Sequence, residues 1–467
     1  METRREHDAL GAVDVPRERL WGAQTERARH HFPFPDRMPA SVLRALVRIK
    51  RAAAHVHMHM GNLDAERARA IQQAADEVLE GRWPSEFPLS AWQSGSGTQS
   101  HMNVNEVLAN RASELLGAGR GEARVVHPND HVNLGQSTND VFPTALHLAV
   151  VERTRAELLP ALEGLFGTLE EGTRRYADVV KTGRTHLQDA TPVTLGQEFS
   201  GWAEQVRAAR EAVVEALVPL FRLALGGTAV GTGLGAGHDF APRVVAELAA
   251  GGGEPYVQAP NLFAALASSD DLVRFHGTLR ALAVALTKVA DDVRWMGSGP
   301  RCGLGELSLP SNEPGSSVMP GKVNPTQAEA LLMVCARVLG NDVAVGLAGL
   351  QGRFELNTAR PLLAVCLDES LGLLAVAIRG FDLECLRGLE PRREKLAEDL
   401  GRSLMLVTAL RPHLGYDACA RIALHAHAHD LTLREAATSL ALVTEEQFAA
   451  WVRPERMLSG GPEVRER

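Results

Sequence analysis

At 467 residues the chain exceeds one ordinary domain, so it reads as two or three domains or as one large core with appendages. Apolar residues make up 45% and charged residues 23%, the balance of a globular protein and not of a disordered or fibrous one. A net charge of −8 argues against nucleic acid or an acidic membrane surface as the main partner, so an anionic ligand has to be drawn in by local positive groups.

The opening METRREHDALGAVDVP carries charge without an apolar run, which suits neither a secretory leader nor a transit peptide. No uninterrupted apolar stretch reaches membrane-spanning length, and the expectation is a cytoplasmic chain with no membrane segment. Residues 1–137 mix shorter helices with a loop-rich stretch at 92–105. Leu158, Leu162, Leu165 and Leu169 then begin a helical spacing of three and four. Residues 193–225 and 325–350 are also long and helical in pattern. The clearest case is 272–293, where Leu272, Phe275, Leu279, Leu282, Leu286, Val289 and Val293 form a heptad stripe. From 390 onward come short helical pieces separated by turns. The fold class is therefore mainly α, with a central long-helix bundle. We divide it into an N-terminal domain 1–137, a bundle domain 138–392 and a C-terminal domain 393–467.

The most informative stretch is 315–327, GSSVMPGKVNPTQ. Gly315 and Gly321 let the backbone bend and approach a ligand, while Pro320 and Pro325 fix the turn between them. Asn324 is placed to cap a helix with Pro325 at its first position and Gln327 at its third. Two hydroxyls, a lysine and a helix N-terminus together suit an anion. A solvated loop with a well-made cap is the plainer reading of the same residues.

Other polar runs lie beside expected helix starts: 94–105 (SGSGTQSHMNVN), 133–140 (NLGQSTND) and 183–188 (GRTHLQ). Taken singly, each could be no more than a cap. Together with the 315–327 loop they resemble the set from which the fumarase/aspartase superfamily builds one site. Stretches such as LWGAQTERA, VHPNDHVN, KTGRTHLQDATPVTLGQE and ADDVRWMGSGPRCGLGE extend that resemblance to class II fumarases along nearly the whole chain. Aspartases are similar but differ at the first cluster.

The resemblance implies a three-domain fold whose tetramer holds a twenty-helix core, and a reversible hydration of fumarate to (S)-malate in the tricarboxylic acid cycle. Aspartate ammonia-lyase, or another lyase of the superfamily, is the alternative. It assigns catalysis to His186, Ser316, Lys322 and Glu329. Substrate binding falls to Ser96, Gly97, Thr98, Ser137, Thr138, Asn139, Thr185, Ser317, Lys322, Val323 and Asn324. Arg124, His127, Pro128, Asn129 and Asp130 match a second carboxylate position. His101, Leu134 and Gly135 depart from the family's pattern, His101 standing where Asn is expected.

The chemistry asks for such groups. Removing a proton next to a carboxylate leaves a doubly negative aci-carboxylate, and one fixed donor aimed at it is worth about 3 kcal/mol. His186 with Glu329 would activate water and protonate the departing hydroxyl. Ser316 would take the C3 proton, helped toward the oxyanion by loop N–H groups and Lys322.

No cofactor or metal is expected. The five cysteines, Cys302, Cys335, Cys366, Cys385 and Cys419, form no CxxC pair and read as reduced thiols. His55, His57 and His59, like His425, His427 and His429, alternate along helices and so diverge. The glycines at 231, 233, 235 and 237 lack the spacing of a dinucleotide loop. The expected partners are a dicarboxylate and three further copies of the chain, with sites shared between subunits. The polar clusters sit at the ends of long helices, and at ~1.5 Å per residue those ends lie far apart on one bundle.

Overall fold

The computed structural model describes residues 2–459. Helices dominate, and every sheet among the described residues is two-stranded. Backbone contacts group the chain into two units. One takes its residues up to Pro160, with Arg210–Ala283 and Cys335–Ala375; the other takes Ala161–Ala209, Val284–Val334 and the chain from Val376 onward. The long helices pass from one unit into the other, so the division is not sequential.

In the first unit a hairpin pairs Thr3–Asp8 with Gly11–Pro16, where the sequence suggested only short helices and loop. The 20-residue helix Ala40–His59 buries Val42, Leu46, Ile49, Ala53 and Val56, the three-and-four spacing of one apolar face. Helices Thr98–Leu115 and Thr138–Arg153 pack with it in this unit. The latter opens on a capping box in which Ser137 and Asp140 serve each other's backbone N–H groups. The helix expected over 193–225 spans Leu195–Leu217 and stops at a 3₁₀ turn carrying Pro219, which cannot continue it.

All seven residues of the heptad stripe are buried within the chain, on helix Asp270–Met296. The heptad spacing suggests the apolar face of a helix core shared between subunits, and the burial corrects that expectation. A stripe already covered by its own chain cannot be the face that meets another subunit. The exposed apolar side chains lie elsewhere, among them Val343, Leu347 and Leu350, 65%, 57% and 72% exposed, on and just beyond helix Thr326–Gly349. Helices Thr326–Gly349 and Arg360–Leu386 are long and apolar enough to cross a membrane. Their apolar runs are interrupted by Glu329, Arg337 and Asp342 in one and by Asp368, Glu369 and Arg379 in the other.

In the second unit, 180–194 forms a hairpin, Val180–Thr185 against Gln188–Thr194. The polar run GRTHLQ is therefore a strand and a turn, not a helix start.

Candidate active site

The first unit joins two of the sequence clusters. Ser94, Ser96 and Thr98 form a chain of hydroxyls, with Ser94 Oγ to Ser96 Oγ at 3.1 Å and Ser96 Oγ to Thr98 Oγ1 at 2.7 Å. Gly97 turns the backbone into the Thr98 helix with φ +82°, and a Cβ there would lie 2.3 Å from the Phe142 ring. Only glycine satisfies both demands. From that helix, His101 Nδ1 lies 2.7 Å from Thr138 Oγ1, so a buried hydrogen bond ties the helix that Thr98 opens to the Ser137–Asn139 segment.

Beneath this bond sit charged groups that sequence reasoning missed. Lys50 Nζ contacts His101 Nε2 at 2.6 Å, Asn133 Oδ1 at 2.8 Å and Gln136 Oε1 at 2.9 Å. Burial pulls the Lys50 pKa well below the usual ammonium range, opposed by the charge of Asp140. Arg360 is also fully buried, and desolvation brings its pKa down to about 9 against the same Asp140 charge. Its role is legible in the backbone. Pro143 has no N–H to give the Asn139 carbonyl four residues earlier, and Arg360 Nη1 donates to that carbonyl at 2.7 Å instead. Arg360 N also donates to Gly95 O at 3.0 Å, tying the two segments from below. The pairing of Pro143 with a distant arginine was the available signal, but no spacing rule links them.

Of the residues expected at a second carboxylate position, Pro128, Asn129 and Asp130 lie on a π-helical turn, Pro128–Val132, with His127 capping it. His127 Nδ1 accepts from the backbone of Asn129 at 3.3 Å and of Asp130 at 3.1 Å, so those N–H groups already have a partner. Arg124 Nη1 pairs with buried Glu6 at 3.1 Å. Burial lowers the His127 pKa.

In the second unit, Thr185 pairs with Gln188, leaving His186 and Leu187 as a two-residue hairpin turn. Their φ values are +57° and +60°, the left-handed pair of a type I′ turn, ordinarily built from Asn and Gly. Non-glycine residues held there mark strain maintained by their surroundings. The surroundings are an ion cluster: Arg184 Nη1 to Glu306 Oε1 at 2.7 Å, Lys181 Nζ to Glu306 Oε2 at 3.1 Å and to Glu198 Oε1 at 2.8 Å. Burial raises the Glu198 pKa against the pull of Lys181. Thr185 and His186 are both exposed on this hairpin.

The 315–327 loop closes on itself. Gly315 N donates to Lys322 O at 3.1 Å, and a Cβ on Gly315 would meet that oxygen at 2.1 Å. Ser316 Oγ accepts from Val318 N at 3.1 Å and Met319 N at 2.9 Å. The oxygen thus lies in a cradle of two backbone donors. Lys322 and Val323 are exposed, as is Ser317. Asn324 does not take the expected capping role: its amide nitrogen turns back to the Gly315 carbonyl, and the helix starts at Thr326. Closing the loop outranks capping because Gly315 O has no other donor within it. Glu329, in the first helical turn, lies 4.0 Å from Arg294 Nε. Among the described residues no ion pair joins it to His186.

The expected metal decoys resolve into packing. His57 Nε2 meets the Leu134 carbonyl at 2.8 Å and its ring stacks on Phe240, while His55 and His59 lie ring to ring 4.3 Å apart. Among the described residues no three His, Cys, Asp or Glu groups are arranged to hold a metal ion.

Residues 11–340 match a family described as "Lyase", and residues 406–459 match "Fumarase C C-terminus". A class II fumarate hydratase of Ralstonia nicotianae is 58% identical over 459 residues, covering 98% of this chain and all of that one. One from Myxococcus xanthus is 57% identical over 455 residues, covering 97% and 98%. The chain belongs to the class II fumarate hydratase family. The solved class II fumarase of Schistosoma mansoni superimposes with a TM-score of 0.96 at 42% identity, over 98% of this chain and 99% of that one. The fold is therefore the mainly α fold of the fumarase and fumarate lyase structures, and the enzyme is a lyase.

The strained hairpin tip of this family member gives a direct test. Leu187→Gly should keep or raise the thermal midpoint, because the left-handed conformation costs a non-glycine residue about 1–2 kcal/mol. Leu187→Val, with a β-branched side chain in the same conformation, should lower it. Equal midpoints for the two variants would contradict the strained turn.

Proposed function

We propose that the chain hydrates fumarate reversibly to (S)-malate, adding water in anti fashion through an aci-carboxylate carbanion. Ser316 takes the C3 proton in the dehydration direction. Its oxygen already receives two loop N–H groups, the arrangement that favours an oxyanion, and this observation carries the reading. Lys322 and Asn324, with Ser317 and Val323 beside them, bind the carboxylate on which charge develops. Ser96, Gly97, Thr98, Ser137, Thr138, Asn139 and Thr185 hold the dicarboxylate. His186, supported by Glu329, activates water and returns a proton to the departing hydroxyl. These steps use proton transfer and fixed donors alone, so no metal or nucleotide enters them. Arg124 and His127–Asp130 form a second carboxylate position near the entrance.

The reaction belongs to the tricarboxylic acid cycle, and we place it in the cytoplasm; five scattered cysteines with no CxxC pair suit a reducing compartment. Fumarate absorbance followed with and without ammonium separates hydration from ammonia addition. We expect turnover in water alone, and a strict ammonium requirement would move the assignment to an ammonia-lyase. In the same assay Ser316→Ala should lower kcat by several orders of magnitude with an unchanged circular dichroism spectrum. Near-parent turnover in that variant would remove Ser316 from the base role.

We further propose a homotetramer around a twenty-helix core, with each site built from more than one subunit. The exposed Val343, Leu347 and Leu350 support it, since apolar side chains clustered along one sequence stretch are seldom left to water. Glu329 and His186, unpaired with each other within one chain, would then meet across subunits. Mixing inactive His186→Asn chains with inactive Lys322→Ala chains should restore part of the activity after subunit exchange. No recovery despite proven exchange, or a fully active monomer, would contradict the shared site.

A further inference from the structure

We propose that Lys50, acting through His101, holds the Thr138 hydroxyl in the donor orientation that a substrate carboxylate requires. Lys50 and His101 are positioning residues, and the inference rests on the reading of Thr138 as a carboxylate ligand.

The polarity of the chain of bonds can be read from its far end. Asn133 Nδ2 donates to Gln136 O at 3.2 Å, which leaves its Oδ1 facing Lys50. Gln136 Nε2 donates to the carbonyls of Val132 and Leu134, both at 3.2 Å, which leaves its Oε1 facing Lys50. Neither amide can flip without losing backbone partners. Lys50 thus meets two fixed acceptors and one imidazole nitrogen, and an ammonium has three donors and no acceptor. All three donors are used when His101 Nε2 accepts at 2.6 Å. A neutral imidazole carries its one proton on the other nitrogen, so Nδ1–H donates to Thr138 Oγ1 at 2.7 Å. The Thr138 hydroxyl then cannot donate backward. Its O–H is left for a partner on the open side of the 137–139 turn, where Thr138 retains 9% of its surface.

Removing the Lys50 proton reverses every step. His101 Nε2–H donates to the amine, Nδ1 accepts from Thr138, and Thr138 offers a carboxylate only lone pairs. The groups facing Lys50 are His101, Asp140 and the neutral amides of Asn133 and Gln136. Asp140 favours the ammonium, and so does an arriving dianion. As pH rises through the pKa of buried Lys50 the donor is lost and KM should increase, with a smaller change in kcat. An Asn at position 101 would offer an acceptor to Lys50 and a donor to Thr138 in the same order.

The test compares His101→Asn, His101→Leu, Lys50→Met, Thr138→Val and the Lys50→Met/Thr138→Val pair by KM and kcat for fumarate against pH, with thermal midpoints. Thr138→Val should raise KM roughly tenfold or more, the worth of one hydrogen bond to a charged group. His101→Leu should match it, His101→Asn should stay near the parent, and the paired variant should be no worse than Thr138→Val alone. A parent-like KM in His101→Leu, with Thr138→Val impaired, overturns the relay while leaving the carboxylate site in place. An unchanged KM in Thr138→Val overturns the carboxylate reading itself. His101→Asn as impaired as His101→Leu also overturns the relay, because a fixed acceptor–donor pair would then not suffice. The two His101 variants decide the matter even if Lys50→Met does not fold.

Discussion

The hydrogen-bonded clusters of the first unit depend on one buried carboxylate. Asp140 accepts from Ser137 N at 3.0 Å, Gly226 N at 2.9 Å and Thr228 N at 3.0 Å, and has no exposed surface. A charge taken out of water is costly unless it is fully hydrogen-bonded, and three backbone donors meet that demand. Burial raises the Asp140 pKa, and those donors together with the charge of Lys50 hold it back. The same oxygens close the capping box of the Thr138 helix and fix the 226–228 loop against it. Asp140 is also the carboxylate whose charge supports both Lys50 and Arg360. Asp140 thus ties Lys50 and Arg360 to the backbone beneath Ser137–Asn139.

The second unit solves a different problem, that of presenting exposed groups in fixed positions. His186 stands at the tip of a hairpin whose turn its own residues disfavour. Buried Lys181 and Glu306, with half-buried Arg184 and Glu198, secure the strand leading to it. Ser316 is held by its own loop, whose ends are tied through Gly315, Lys322 and Asn324. In both cases the backbone conformation is held by the chain's own hydrogen bonds and ion pairs.

Much of this was legible in the sequence. The heptad stripe, the leucines at 158–169 and the long helices follow from periodicity, which packing obeyed. The polar clusters were visible as runs of Ser, Thr, Asn and Gly, and the family resemblance extended through all of them. What escaped notice has a common cause. Lys50 sits between Arg48 and Arg51 and Arg360 opens its helix, positions where a cation looks solvated, and only the tertiary fold reveals their buried partners. The 180–194 hairpin was hidden because its tip is His-Leu and lacks the Asn-Gly turn signal. Asn324 looked like a cap because local pattern cannot weigh capping against closing a loop nine residues long in sequence separation. The stripe's burial leaves the exposed apolar side chains elsewhere, at Val343, Leu347 and Leu350 on the Thr326 helix and its end.

In the proposed mechanism two groups on different elements, Ser316 in its N–H cradle and His186 on the hairpin tip, serve opposite faces of one substrate. Hydration of fumarate in D2O, read from the proton coupling across the C2–C3 bond of the malate formed, tests it most directly. The account predicts a single diastereomer with deuterium and hydroxyl added anti. A syn product, or a mixture of both diastereomers, would contradict it.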